Sequence, residues 1–303
     1  MESTNTIITI IFAIAGAALF LVLGFLVHKK IHINAIVAPT EVNTALPALP
    51  PPPTVIPLNI FQTWHTKKLP TKMQECVRTL QTDNPEFKYY LYDDQDCRKF
   101  LQEHYDVNVL YAYDSLVPGA FKADLWRYCV LYKYGGIYLD IKYQCINGFK
   151  LMQLTDDEYF VRDRYDVLNK TAVYNALMVC KAGNPILKRC IDQVVQNVRQ
   201  RYYGESALDP TGPTMMIQFF TPMERMRLKR LEHYDEDGKY YIVYRGSIWV
   251  KQGSAGVEPP STVDIPVNTK ILMMYPEYRT EQRQFQKTQY YADLWKRREI
   301  FSM

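Results

Sequence analysis

Apolar positions recur along this chain with two periods, and the period switches at short polar breaks. "LNIFQTW" (58–64) and "FKYYLYD" (87–93) are short apolar and aromatic runs of strand length. "TKMQECVRTLQTD" (71–83) and "DQDCRKFLQEHY" (94–105) space their apolar residues three and four apart, as a helix with one buried face does. "AFKADLWRYCVLYKY" (120–134) predicts a further helix, stopped by Gly135-Gly136. "IYLDIKY" (137–143) then alternates as a strand. Strands alternating with helices predict an α/β fold with a mostly parallel central sheet covered on both faces. Ligands of such sheets sit beyond the carboxyl ends of strands, where Asp140 and Lys142 fall.

The second half is more mixed. "AVYNALMVC" (172–180) reads as a strand, "PILKRCIDQVVQNVRQRYY" (185–203) as a helix opened by Pro185, and "TGPTMMIQFF" (211–220) as a loop entering a helix. "YDEDGKYYIVY" (234–244) holds an Asp-Gly turn signal between two strands. "YYADLWKRREIF" (290–301) reads as a basic helical end.

The N-terminal pattern is different in kind. Residues 7–27, "IITIIFAIAGAALFLVLGFLV", are uncharged and long enough to span a bilayer, which takes ~20 apolar residues. A signal peptide wants a basic N-terminal region, and here that side carries Glu2 and neither Lys nor Arg. Residues 38–57, "APTEVNTALPALPPPPTVIP", are proline-rich and favour an extended stalk. The expected organisation is a transmembrane anchor over 1–30, a stalk over 31–57 and the main folded domain over 58–303. Lys29 and Lys30 after the apolar run favour a cytosolic domain, whereas the sequon Asn169-Lys170-Thr171 is usable only on a luminal one. The expected setting is a single-pass membrane protein of an endomembrane (Golgi- or ER-like), with either side open.

Composition narrows the function classes. A net charge of +4 over 303 residues, without a basic run, gives no footprint for nucleic acid. Aromatic residues make up 14%, with 24 tyrosines, which suits stacking on sugars or bases as well as core packing. The six cysteines form no Cys-x-x-Cys pair. Cys129 and Cys180 lie in apolar runs and read as buried thiols.

The candidate chemistry lies in "KADLWRYCVLYKYGGIYLDIKY" (122–143). On a strand, Tyr138, Asp140 and Lys142 share one face, with Asp140 and Lys142 about 7 Å apart. On the preceding helix, Asp124 and Arg127 are three apart and share a face. Two carboxylates and two cations suit a ligand that carries hydroxyls and a diphosphate. The alternative is two structural ion pairs.

This stretch resembles the signature of the DXD-containing sugar-transferase family (glycosyltransferase family 32), which includes the yeast initiation-specific α-1,6-mannosyltransferase and the inositol-phosphoceramide mannosyltransferases. "IPLNIFQTWHTKKLP" (56–70), "NPEFKYYLYDDQD" (84–96), "NALMVCKAGNPIL" (175–187) and "TGPTMM" (211–216) are similar to other segments of the family, in order. The resemblance implies a GT-A fold, a UDP- or GDP-linked hexose as donor, a hydroxyl of a glycan, lipid or protein as acceptor, and retention of anomeric configuration. It places Trp64 against the nucleotide base, Asp124 and Arg127 at the donor sugar and phosphate, and Asp140 at ribose and metal. Asp140 and Lys142 are the expected catalytic positions, and Asp140 the expected ligand for Mn²⁺ or Mg²⁺. Two positions depart from the pattern. Phe61 stands where relatives carry His. Lys142 stands in place of the second, metal-binding Asp, which puts metal dependence in doubt and keeps open a second class, a tethered nucleotide- or sugar-binding protein without turnover.

Overall fold

The computed structural model describes residues 55–163, 172–246 and 265–302. The expected anchor at 7–27, the stalk up to residue 54 and the sequon at Asn169 lie outside the described residues. Among the described residues no helix is long and apolar enough to cross a membrane.

In chain order the elements are β1 (Asn59–Thr63), α1 (Thr71–Asp83), β2 (Lys88–Tyr92), α2 (Asp94–His104), α3 (Val107–Ser115), α4 (Gly119–Tyr134), β3 (Gly136–Leu139), β4 (Tyr143–Cys145), β5 (Tyr159–Asp163), β6 (Ala172–Cys180), α5 (Pro185–Arg199), α6 (Pro213–Met216), α7 (Pro222–Arg227), β7 (Leu231–Glu236), β8 (Lys239–Tyr244), β9 (Thr269–Met274), α8 (Tyr278–Phe285) and α9 (Tyr291–Lys296). The strands form one sheet in the order β2-β1-β3-β6-β5-β7-β8-β9-β4. Strand β3 shows why it is covered on both faces. Ile137 and Leu139 enter one apolar core, and Tyr138 enters the other.

The sheet is mixed rather than mostly parallel. Only β1–β2, β1–β3 and β5–β7 pair in parallel. The rest are antiparallel. The alternation with helices that the first half shows does not continue past residue 143, and without crossover helices neighbouring strands meet antiparallel. The Asp-Gly signal is a hairpin as expected. Asp237 (φ 52°) and Gly238 (φ 73°) take the left-handed conformations of a tight turn between β7 and β8.

The strand expected over 137–143 stops at Leu139. The Asp140 N–H makes one more rung to Ala176 O (2.7 Å), and the Tyr143 N–H then bonds Asp140 O (3.1 Å), closing a turn over Asp140–Lys142. That turn leads to β4 at the opposite end of the strand order. In a flat sheet six strand spacings would separate β3 from β4 by ~29 Å. The linking residues reach at most ~14 Å, so the sheet is rolled and the turn joins its third strand to its ninth. Two further boundaries are shorter than expected, with the helix from Pro185 ending at Arg199 and the C-terminal one covering only Tyr291–Lys296.

Helix α4 positions the chemistry. Residues Leu125 to Leu131 are all buried, so this is a central helix with no solvent face over that run. Gly135 and Gly136 end it at φ 63° and 117°. A Cβ at Gly136 would stand 2.7 Å from Asn59 O, so only glycine lets β3 start alongside β1. Phe61, the departure from the family pattern, is a core residue stacked on Tyr90 and Tyr134. All six cysteines are free, with Cys129 and Cys180 buried as expected.

Helix α1 begins at Pro70 without a side-chain cap of its own. Glu281 of α8 supplies it from far along the chain. Its two carboxylate oxygens accept the N–H groups of Lys72 (2.9 Å) and Met73 (3.0 Å), and Oε2 also accepts the Tyr275 hydroxyl (2.9 Å). A carboxylate on free N–H groups at a helix start is favoured by charge as well as by hydrogen bonding. Glu281→Ala is expected to lower stability by about 1 kcal/mol, the usual cost of a lost N-cap. Urea unfolding measures it, and an unchanged midpoint would show that the cap contributes nothing.

Candidate active site

Helix α4 delivers Asp124 and Arg127, the end of β3 delivers Asp140, and the following turn delivers Lys142. All four line one cleft of about 450 Å³ beyond the carboxyl ends of β1 and β3, with Trp64 on its wall. The structure therefore brings together every residue singled out from the sequence.

Their geometry differs from the strand reading. Asp140 and Lys142 do not stand apart on one strand face. They occupy a turn, where Lys142 Nζ lies 2.7 Å from Asp140 Oδ2. The other carboxylate oxygen accepts the Tyr138 hydroxyl (2.8 Å) and meets Arg127 Nη1 (3.3 Å). Arg127 in turn donates to Asn175 O (2.9 Å), lies 3.4 Å from Asp124 Oδ1, and stacks over the Tyr138 ring at 4.3 Å. The expected Asp124–Arg127 helix pair exists, but it is buried and faces the cleft. Pairing and cleft lining are not alternatives here.

Asp124 is held from every side. Asn175 Nδ2 donates to Oδ1 (3.0 Å) and the Thr211 hydroxyl to Oδ2 (2.7 Å). Burial pushes its carboxyl up to about 6, with Arg127, Thr211 and Asn175 opposing. Burial acts the same way on Asp140, but the Lys142 ammonium and Arg127 guanidinium outweigh it and hold that carboxyl below the ordinary range. Lys142 resists the effect of burial through Asp140 and stays well above the usual lysine value. Its ammonium also lies 5.3 Å from the ring centres of both Tyr143 and Tyr174.

Trp64 follows the end of β1 and is half-buried, packed against the second core. Its indole N–H is buried and has no hydrogen-bond partner. Sequence reasoning gave Tyr138, Asn175 and Thr211 no role at the site, although each sits inside or beside a quoted motif. It also missed the far wall: Asp163, His233, Tyr240, Tyr278 and Arg279. Those residues come from β5, β7, β8 and α8, where no motif marks them.

A literal Asp-x-Asp also exists at Asp94 and Asp96, but its carboxylates are otherwise engaged. Asp96 pairs with Lys67 (2.7 Å) and bonds the Asp93 N–H at the start of α2, and Asp94 pairs with Lys287 (3.3 Å).

Residues 70–161 match a family described as "Glycosyltransferase sugar-binding region containing DXD motif". The match covers 92 of the chain's 303 residues, and that segment resembles this family of sugar transferases. The family segment contains α4, β3 and the Asp140–Lys142 turn, so Asp124, Arg127, Asp140 and Lys142 all fall inside it. The chain is 39% identical over 209 residues to inositol phosphoceramide mannosyltransferase 3 of Schizosaccharomyces pombe, covering 64% of this chain and 56% of that protein. It is 28% identical over 210 residues to inositol phosphoceramide mannosyltransferase 2 of the same yeast, covering 64% and 58%. Over 91 residues it is 33% identical to the initiation-specific alpha-1,6-mannosyltransferase of Candida albicans, covering 28% and 24%. The chain thus spans little more than half the length of the first two relatives. Among solved structures, the PaToxG glycosyltransferase overlaps 59% of this chain and 85% of its own, at 19% identity and a TM-score of 0.41.

A divalent ion in this family's motif needs carboxylate oxygens free to bind it. Here both oxygens of Asp140 are engaged and an ammonium stands in the second position. Among the described residues no three His, Cys, Asp or Glu side chains gather into a cation site. The residues present do not fit Mn²⁺ or Mg²⁺ at Asp140.

Proposed function

We propose that this protein is a glycosyltransferase of GT-A type. It moves a hexose from a UDP- or GDP-linked donor to a hydroxyl of a glycan, lipid or protein acceptor, with retention of configuration. The observation that carries this reading is the convergence of Asp124, Arg127, Asp140 and Lys142 in one cleft within the family segment. Arg127 and Lys142 supply fixed positive charge for a diphosphate. An ammonium has three donors, and Asp140 uses one of those on Lys142. Asp124 and Asp140 line the same cleft, where lone pairs left over from their internal bonds can accept from sugar or ribose hydroxyls. With the leaving diphosphate held, the acceptor hydroxyl attacks C1 from the same face as the C1–O bond to the diphosphate breaks and gives its proton to the departing phosphate oxygen, so no carboxylate nucleophile is needed. The names of the yeast relatives favour mannose among hexoses and a membrane lipid among acceptors. An anchor at residues 7–27 in an endomembrane fits that setting.

The deciding experiment measures release of nucleoside diphosphate from UDP- and GDP-hexoses, with and without candidate acceptors. A second reading rests on the same Lys142–Asp140 contact: a tethered nucleotide- or sugar-binding protein in which that ion pair has replaced the catalytic arrangement. Nucleotide binding without any release of diphosphate from any donor would favour it.

Two outcomes follow for the donor site. Trp64→Ala is expected to weaken nucleoside diphosphate binding about tenfold, since one base–aromatic stack contributes about 1–3 kcal/mol. Calorimetry with UDP and GDP measures it, and unchanged affinity removes Trp64 from the base. Asp124 sets a pH dependence. Between its ordinary 3.8 and about 6 the folded protein holds this proton more tightly than the unfolded chain does, so its contribution to stability falls as pH rises through that window. The carboxylate required for transfer forms only above it. Transfer should therefore fall as pH drops below about 6. An acid limb that persists in a folded Asp124→Asn protein with residual activity would assign it to another group.

A further inference from the structure

The strand order begins at β2, and the outer edge of that strand is open. Lys88, Tyr90 and Tyr92 turn their backbone groups toward β1. At the two ends of this ladder the Lys88 N–H bonds Leu58 O (2.9 Å) and the Trp64 N–H bonds Tyr92 O (3.2 Å). The N–H and C=O groups of Tyr89 and Leu91 therefore point the other way, where among the described residues no strand pairs with them. No residue of β2 is buried, whereas Ile60, Phe61 and Gln62 of β1 and all of β3 are. Tyr90 keeps 37% of its surface exposed although it stacks on Phe61 (5.2 Å, 16°).

A row of open backbone groups is a template for another strand, and edge strands are usually blunted by proline, a bulge, charge or very short length. Strand β2 carries little of this. It has five residues, KYYLY, in unbroken register with β1 and without proline, and its one charge stands at its first position. The strand is also complementary to itself. When two copies run antiparallel and are centred on Tyr90, Tyr89 faces the partner's Leu91 and Leu91 faces the partner's Tyr89. These are the residues with outward groups, so each pair exchanges two N–H···O bonds. Tyr90 then meets the partner's Tyr90 across the axis. Lys88 meets the partner's Tyr92 and the adjoining Asp93, an aromatic ring and a carboxylate. Backbone pattern and charge thus agree on one register.

We propose that β2 pairs antiparallel with β2 of a second copy of this chain, centred on Tyr90, and joins the two sheets edge to edge about a two-fold axis. The cleft lies beyond the carboxyl ends of β1 and β3, and β1 runs parallel to β2. Antiparallel pairing therefore points the two clefts in opposite directions. The pairing does not depend on the glycosyltransferase reading.

The test is disulfide trapping and mass measurement on the full chain in detergent. Across the axis the two copies of residue 90 stand about 4.5 Å apart between Cα atoms, within reach of a disulfide. The two copies of residue 88 are offset by four residues, about 13 Å, which is out of reach. Under mild oxidant Tyr90→Cys is expected to give at least tenfold more crosslinked dimer than Lys88→Cys. Wild type, whose six cysteines are free, should give no more than Lys88→Cys. Light scattering should return the mass of two chains for wild type. It should return one chain for Tyr90→Glu, which opposes two carboxylates on the axis. Leu91→Pro should also be a single chain, since it removes an outward N–H and spares the ladder to β1. Melting curves on the same samples identify the folded variants. Wild type as a single chain, two chains in either folded variant, or equal crosslinking from positions 88 and 90 each overturns the pairing.

Discussion

Asp140→Asn is expected to lower transfer at least 10³-fold, which is about 4 kcal/mol of transition-state stabilisation. The substitution keeps the shape of the side chain and removes the one charge that faces both Lys142 and Arg127. Stability should fall with it, because Lys142 then has no charged partner and its side chain is only 12% exposed. Breaking a buried pair from one side costs up to about 3–5 kcal/mol. The two effects separate by temperature. Transfer assayed well below the melting point of the variant should still be lost, while the melting curve shows a folded protein. Activity near that of the wild type under those conditions would remove Asp140 from the site.

The second large effect belongs to Lys142. Two unit charges 4 Å apart interact by about 4 kcal/mol at an effective dielectric of 20, so the sign at this position strongly influences which partner the cleft accepts. Wild type is expected to keep its activity in chelator. Lys142→Asp restores the second carboxylate of the family motif and should make transfer strictly dependent on Mn²⁺ or Mg²⁺. Lys142→Ala should lose donor affinity and gain no metal response. Transfer across a metal titration and in chelator, for all three proteins, measures this. If wild type is inactive in chelator and Lys142→Ala behaves like it, the ammonium does not take the place of an ion.

How much of this was visible in the sequence differs from element to element. The elements β1, α1, β2, α2 and α4 were legible because each has a clean period or a local stop, as with Gly135-Gly136 after the helix, whereas α3 (Val107–Ser115) was not read from the sequence. The four charged site residues were legible because two lie three apart on a helix and two lie together just past a strand. The Asp140–Lys142 ion pair was read only as one of the two structural pairs of the alternative, and the turn that forms it was not legible. Period-two alternation continues through Ile141 and Tyr143, both buried, and says nothing of the hydrogen bond from Tyr143 N to Asp140 O that bends the chain. The mixed sheet was hidden for a related reason, since pairing direction depends on contacts distant in sequence. The Tyr174–His233–Tyr240 wall is assembled from β6, β7 and β8, and the cap that Glu281 places on α1 bridges 208 positions, from Met73. No local pattern marks any of these.

The rolled sheet sets a length rule for the motif. Residues 140–142 connect the third strand of the order to the ninth, and β4 is held in register with β9 by Tyr143 opposite Met274. Inserting or deleting one residue there would slip Tyr143 by one place and turn its buried ring to the other face. Exchanging the residue at 142 leaves that register untouched. The spacing between Asp140 and Lys142 is therefore fixed by the architecture, whereas the charge at the second position is free to vary, and with it the counter-ion of the cleft.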